Sequence, residues 1–511
     1  MHTRSSVERI GLLAVSAFAL QLTVGAQTGP TMLDRNLGVR TAASGLTTPV
    51  SLAFLGDADM LVLEKNTGRV QRIVNGALQG TVLDLAVNAA SERGLLGIAL
   101  HPQFPDNPGV YLYWTCSAEP PPDENPFQPT AERCDESALT GEDTDNVLAV
   151  PLLGNRVDRF VWDGAALAFD HNIVELRAFQ NDGAPDPPDQ GDSAQRPAGN
   201  HDGGVIRFGP DGKLYIVIGD VGRRGWLQNL EDGPTPPTAD DQFGGPEPDD
   251  AHLTGAILRL NDDGMTPADN PFFAAGAAIG GEAGANIQKV FAYGIRNSFG
   301  LAFDPRSGGL WVQVNGDDTF DEIERVTPGR NSGWIQIIGP AGRIGEYKNI
   351  EVNRPPGTLQ QLRWPPSNIA DSPEEALSRL FMLPGAEFRD PEFSWRFAVA
   401  PGGIGFMRGR ALGPQYDGDL FVGASRTTLE NGYLFRFNLT GNRRTIAVDD
   451  PRLEDRVADN NDKFDITESE SLLAGRNFGV GTDIQTGPNG NLFVVSLSNG
   501  EVYEIFRRGR R

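Results

Sequence analysis

One pattern recurs along this chain: an alternating apolar stretch, a turn containing Asp, Asn or Gly, a second apolar stretch, and often a third. It appears as PVSLAFLGDADMLVLEKNTGRVQRI (49–73), GLLGIALHPQFPDNPGVYLYWTC (94–116) and GGVIRFGPDGKLYIVIGD (203–220). It returns in residues 298–326 and 403–437, and as DIQTGPNGNLFVVSLSNGEVYEI (483–505). A PDG or PNG turn between alternating apolar stretches is a hairpin signal. Each such unit leaves an apolar face that only a neighbouring unit can cover. The repeat therefore predicts an all-β chain, a six-bladed β-propeller. The spacing is uneven, and the excess falls in polar, Pro-rich inserts at 116–147, 180–199, 231–250 and 340–390. These predict long loop insertions. No linker separates a second domain, so residues 27–511 are expected to form one domain.

The first 26 residues stand apart. Arg4 and Arg9 precede the apolar run IGLLAVSAFALQLTV, which ends at Val24-Gly25-Ala26. That layout predicts a secretory signal peptide, with a retained anchor as the alternative. The run of roughly 15 residues is short for a membrane span, so the mature chain is expected to be soluble and periplasmic or secreted. Net charge is -24, which disfavours nucleic acid and anionic membranes as partners. The two cysteines, Cys116 and Cys134, bracket a Pro-rich acidic segment. In an exported chain they predict a disulfide.

In a propeller, function gathers where loops converge on the central channel. His201, one of only five histidines, stands just before the first strand of its unit, between Asn200 and Asp202. Asp220 closes the same hairpin. A carboxylate there can hold an imidazole in the tautomer a general base needs. Arg296 and Asn297 take the same position in AYGIRNSFGLAFDP, where a fixed cation can face an anion or a developing alkoxide. The acidic stretch NGDDTFDEIE (315–324) suits an oxygen-ligand metal such as Ca²⁺, although it lacks the EF-hand spacing.

Together, ERGLLGIALHPQF, NHDGGVIRFGPDGKLYIVIGD, YGIRNSFGLAFDP, GDDTFDEIERVTPGRNSGW and APGGIGFMRG…GDLFVGASR resemble the glucose/sorbosone dehydrogenase family. Its members are soluble quinoproteins that use pyrroloquinoline quinone (PQQ). The resemblance spans roughly residues 45 to 505 and implies a six-bladed propeller that oxidises an aldose or related alcohol at C1. It implies PQQ and Ca²⁺ as cofactors, a sugar substrate and an external electron acceptor. His201 resembles the family's general base, and Asp220 the acid that orients it. Arg296 and Asn297 match residues facing the quinone oxygens. Gly316 and Asp317 match the carbonyl pair for the cofactor-bound calcium, and Asp321 and Glu322 a second calcium site. Arg408 and Arg426 match basic residues against cofactor carboxylates. A tricarboxylate cofactor gives such cations a physical reason.

This sequence departs from the family at several points. Glu92 stands in ERGLLG, at a cofactor-side position where characterised members usually carry Gln. Asp317 replaces the usual Pro after Gly316. The insertion TTLEN follows Arg426, and the inserts at 180–199 and 231–250 flank the His201 unit. Two other readings accompany the dehydrogenase. One is a catalytically silent propeller that binds a partner through its loops. The other is a calcium-dependent, lactonase-like hydrolase, around whose central ion the arginines make little sense.

Overall fold

The computed structural model describes residues 29–89, 91–116, 153–178, 201–221, 253–353, 368–425 and 431–509. The expected signal peptide and the inserts at 180–199 and 231–250 lie outside them, as does nearly all of the insert at 116–147.

The described strands form six sheets of four to six strands. The first is a plain meander of Pro49–Gly56, Asp59–Glu64, Arg69–Val74 and Ala77–Asp84. The first strands of the six sheets are Pro49–Gly56, Leu95–Leu100, Ile206–Phe208, Leu301–Phe303, Pro401–Phe406 and Gly481–Thr486. Each packs beside the next, and the last packs beside the first. The result is a closed ring, a β-propeller.

Alternation of side chains along each strand explains how the ring is filled. Successive residues point to opposite faces of a sheet. In Asp59–Glu64, Leu61 and Leu63 pack toward the second sheet with Leu95, Leu112 and Trp114. Met60 and Val62 pack the other way, against Phe493, Val495 and Val502 of the sixth sheet. The same division recurs around the molecule, so the core consists of wedges between neighbouring sheets. The turns match their sequences as well. In Gly209–Lys213 and Gly487–Asn491, Gly212 (φ +72) and Gly490 (φ +79) sit in the left-handed region. Their N–H groups donate back to Gly209 O and Gly487 O, both at 2.9 Å.

Closure does not follow chain order. Leu37–Ala43 pairs antiparallel with Glu501–Arg507, so the N-terminal strand completes the last sheet. The insert at 340–390 is not simply loop. It carries helices Ile344–Asn353 and Pro373–Ser378, whose Ile344, Tyr347 and Ala376 pack with Trp334, Ile337 and Ile338 into a satellite core. Short helices also occur at Phe273–Ile279 and Gly281–Lys289. At six to ten residues, these elements give too few turns for a helical period to stand out. Among the described residues no helix is long and apolar enough to cross a membrane.

Candidate active site

The hairpin of the third sheet builds the site. Ile206 pairs with Ile216, and continuing that register outward puts Asp202 opposite Asp220, with His201 one step beyond. His201 has φ +62, a left-handed turn that folds its ring back onto the partner strand. Its Nδ1 lies 2.5 Å from Asp220 Oδ1, and both residues are buried. An ionised carboxylate only accepts, so its place opposite Nδ1 favours the tautomer protonated there, with Nε2 as the ring nitrogen that can accept a proton. Gly219 is forced by this closeness. A Cβ there would lie 2.3 Å from His201 O and 2.8 Å from Arg296 O.

Two further residues fix the pair. Glu92 Oε2 accepts from the backbone N–H of His201 (2.6 Å) and from Asn297 Nδ2 (2.9 Å). The Glu in place of Gln thus acts as a double acceptor that ties the second sheet to the third and fourth. Trp334 Nε1 donates to Asp220 Oδ2 at 2.8 Å. Arg296 Cζ lies 5.5 Å from the Trp334 ring centroid. Its NH1 donates to Asn315 O (3.0 Å), and its NH2 lies 3.6 Å from Asp317 Oδ1. Asp220 N–H donates to Arg296 O (2.8 Å). His201, Asp220, Arg296, Asn297, Glu92 and Asp317 are therefore brought together.

A cavity of about 530 Å³ adjoins this cluster, with polar Glu92, Lys65 and Asn315 and apolar Leu96, Phe299 and Val480 in its lining. Lys65 carries no motif that marks it in the sequence. Burial pushes its ammonium down to about 8, against the opposing pull of Asp202 and Glu92. Its Nζ donates to Ser91 O (2.9 Å) and Asn66 Oδ1 (3.0 Å), which holds the loop carrying Glu92. Burial likewise pushes the Arg93 guanidinium down to about 10, opposed by Asp202.

Other expected site residues are placed elsewhere. Arg408 is exposed and follows the far end of Pro401–Phe406. Pro401 lines the cavity, and seven residues of extended chain put Arg408 roughly 20 Å away. It does not reach the cluster; the motif match fixed the strand and not which end of it Arg408 occupies. Asp321 and Glu322 do not converge either, because adjacent residues of Thr319–Val326 face opposite ways. Asp321 accepts from Gly316 N (2.8 Å), Val399 N (2.6 Å) and Ala400 N (2.7 Å). Glu322 accepts from Gly339 N (2.5 Å), and burial, then Glu324, push its carboxyl well up. Among the described residues the acids whose ligand atoms gather within 4.8 Å are Asp317, Asp318 and Glu351, and Lys463 already pairs with Asp318. Arg426 and Cys134 lie outside the described residues. Cys116 is buried and forms a β-bridge with Val87.

Comparison with known proteins places this geometry. Residues 46–144 and 191–372 match the profile of the family described as Glucose / Sorbosone dehydrogenase. The chain belongs to the glucose/sorbosone dehydrogenase family. It is 27% identical to the aldose sugar dehydrogenase YliI of Escherichia coli over 312 residues, 61% of each chain. It is 28% identical to quinoprotein glucose dehydrogenase B of Acinetobacter calcoaceticus over 337 residues, 65% of this chain and 59% of the other. The matches thus span about three fifths of those two relatives. The fold is similar to the PQQ-bound form of an aldose sugar dehydrogenase from Streptomyces coelicolor. That match has a TM-score of 0.53 and 21% identity, and it covers 94% of this chain and all of the other.

Proposed function

We propose that this chain is a PQQ-dependent dehydrogenase that oxidises an aldose or related alcohol at C1, with His201 as general base. The observation that carries the reading is the buried 2.5 Å His201–Asp220 pair, held through Glu92, which itself lines the cavity. Family membership and the relatives' activities support it. Each of the six sheets is read as one blade.

The residues fit the cofactor at its quinone end. Asn297 Oδ1 and Asn315 Oδ1 are buried with no hydrogen-bond partner among the described residues, so the wall keeps polar capacity for an occupant. Arg296 and Asn297 would hold that end, and Arg426 is expected to meet a carboxylate. Calcium is expected at the Gly316–Asp317 loop, where the Asp317 carboxylate gathers with two further hard oxygen ligands. When bound, PQQ supplies the two-electron hydride acceptor and Ca²⁺ a Lewis acid.

The chain's own residues do the rest. His201 Nε2 takes the proton of the C1 hydroxyl, and Asp220 holds Nδ1–H and stabilises the imidazolium that forms. Arg296 keeps a fixed positive charge beside the pair, and its contact with Asp317 holds it in place. The signal peptide, export to the periplasm or outside, and the Cys116–Cys134 disulfide belong to the same reading.

Dye reduction tests it. Protein stripped of metal and resupplied with PQQ and Ca²⁺ is expected to oxidise members of an aldose panel only when both are present. His201→Ala is expected to lower turnover by about 10²-fold or more while PQQ still binds. No PQQ binding and no turnover would favour the silent binding module.

A further inference from the structure

We propose that Trp334 is a positioning residue of the catalytic pair, locking the Asp220 carboxylate so that it presents one oxygen to His201. This rests on the general-base reading above. The χ2 torsion of an aspartate is broad and roughly two-fold, so a single hydrogen bond does not fix the carboxylate plane. Here both oxygens are engaged. Oδ1 meets His201 Nδ1 at 2.5 Å, and Oδ2 accepts from Trp334 Nε1 at 2.8 Å. The backbone adds a third restraint, with Asp220 N–H donating to Arg296 O at 2.8 Å.

Trp334 is itself well held. It is buried, and its backbone N–H donates to Gly294 O (3.0 Å) on the loop that leads to Arg296. Its ring packs against the Arg296 guanidinium, 5.5 Å from Cζ to centroid. It also packs in the satellite core with Ile337, Ile344 and Tyr347. One indole thus joins the insert's core to the base's partner and to the neighbouring cation. The charged groups around the pair are Glu92 on the His201 backbone, Asp202 with Arg93 beside it, and Arg296 with Asp317. Asp220 Oδ2 meets the indole, which as a neutral donor restrains the carboxylate without taking its charge.

The consequence is a defined tautomer. With the plane locked, His201 carries its proton on Nδ1 and offers Nε2. With the indole N–H removed, the carboxylate can rotate and the imidazole populates both tautomers. The test is ¹⁵N NMR of the full chain labelled at histidine, of which there are five, without added sugar. The unmodified protein is expected to show one His201 tautomer, protonated at Nδ1. Trp334→Phe is expected to show a mixture, with kcat lowered about 10- to 100-fold and KM within about twofold. Trp334→His, which keeps a ring N–H, is expected to restore the single tautomer in part. A single unchanged tautomer in Trp334→Phe overturns the proposal whatever the activity. Should that variant not fold, the unmodified protein still decides. The Trp334 indole N–H resonance must move along the same pH curve as the His201 ring, and an indole that ignores that titration overturns the proposal. A tautomer shift in a protein that oxidises no sugar would leave Trp334 as the positioning residue and remove the dehydrogenase reading.

Discussion

Asp202 sits next to the base, wholly buried, with Asn155 Nδ2 donating to its Oδ1 at 2.8 Å and Tyr113 donating to its carbonyl at 2.9 Å. Burial pushes its carboxyl up from 3.8 to about 6, against the opposing pull of Arg93 and Asn155. The folded protein therefore holds this proton more tightly than the unfolded chain does. The resulting stabilisation is complete below the unfolded value of 3.8 and is lost as pH rises through about 6. Two units correspond to roughly 3 kcal/mol. Asp202→Asn keeps an oxygen for Asn155 and removes the ionisation. Thermal melts between pH 4 and 7 are expected to show the unmodified protein losing stability relative to the variant as pH rises. Parallel curves would show that Asp202 is not the group responsible. The same residue scale explains what the sequence made legible. His201 and Asp220 lie on one hairpin, where local register brings them together. Trp334 reaches Asp220 across 114 residues, from the motif NSGW, which carries no chemistry of its own.

At the scale of elements, the hairpins were legible because alternation and turn chemistry are local. The outer strands were not, since several are donated from far along the chain. Leu37–Ala43 pairs with Glu501–Arg507 and adds a charged link, with Arg40 Nε 2.7 Å from Glu504 Oε2. A strand completing a sheet more than 450 residues away leaves no periodic sign of its destination. The helices of the 340–390 insert were hidden for another reason. Their apolar residues serve a satellite core and are too few to set a period. Arg408 shows the converse, a residue that follows a correctly read strand at the end away from Pro401. The closing strand has a measurable role. A chain starting at residue 44 loses that strand and leaves Glu501–Arg507 as a bare edge, open to pairing with other chains. Calorimetry and gel filtration are expected to show a lost or strongly broadened transition and self-association. A sharp transition within a few degrees of the full chain would mean that the ring closes without it.

The whole molecule poses a different problem: what keeps a ring of wedges from splaying around its axis. Part of the answer crosses the channel. Arg207 belongs to the third sheet and Asp483 to the sixth, three steps apart in either direction, yet Arg207 NH2 lies 2.6 Å from Asp483 Oδ1. Arg207 NH1 also donates to Ile98 O of the second sheet (3.2 Å). Asp483 Oδ2 accepts from Ser51 Oγ (2.7 Å) and Leu52 N (3.1 Å) of the first sheet, and from Gln485 Nε2 (2.8 Å). Four sheets meet on one ion pair that lines the cavity, with Asp483 buried and Arg207 half-buried. Its net value need not be large, because desolvation opposes the Coulomb gain, but breaking it from one side leaves a buried charge. Arg207→Met is expected to destabilise the fold by about 2 kcal/mol, less than the usual cost of breaking a buried pair because three neutral donors still hold Asp483. Asp483→Leu alone loses those donors' acceptor and should cost a similar amount. The double variant is expected to recover at least about 1 kcal/mol relative to the sum of the single changes. Denaturant unfolding of the four proteins closes the cycle. Strict additivity would mean that the two sides of the ring are held by their wedges alone.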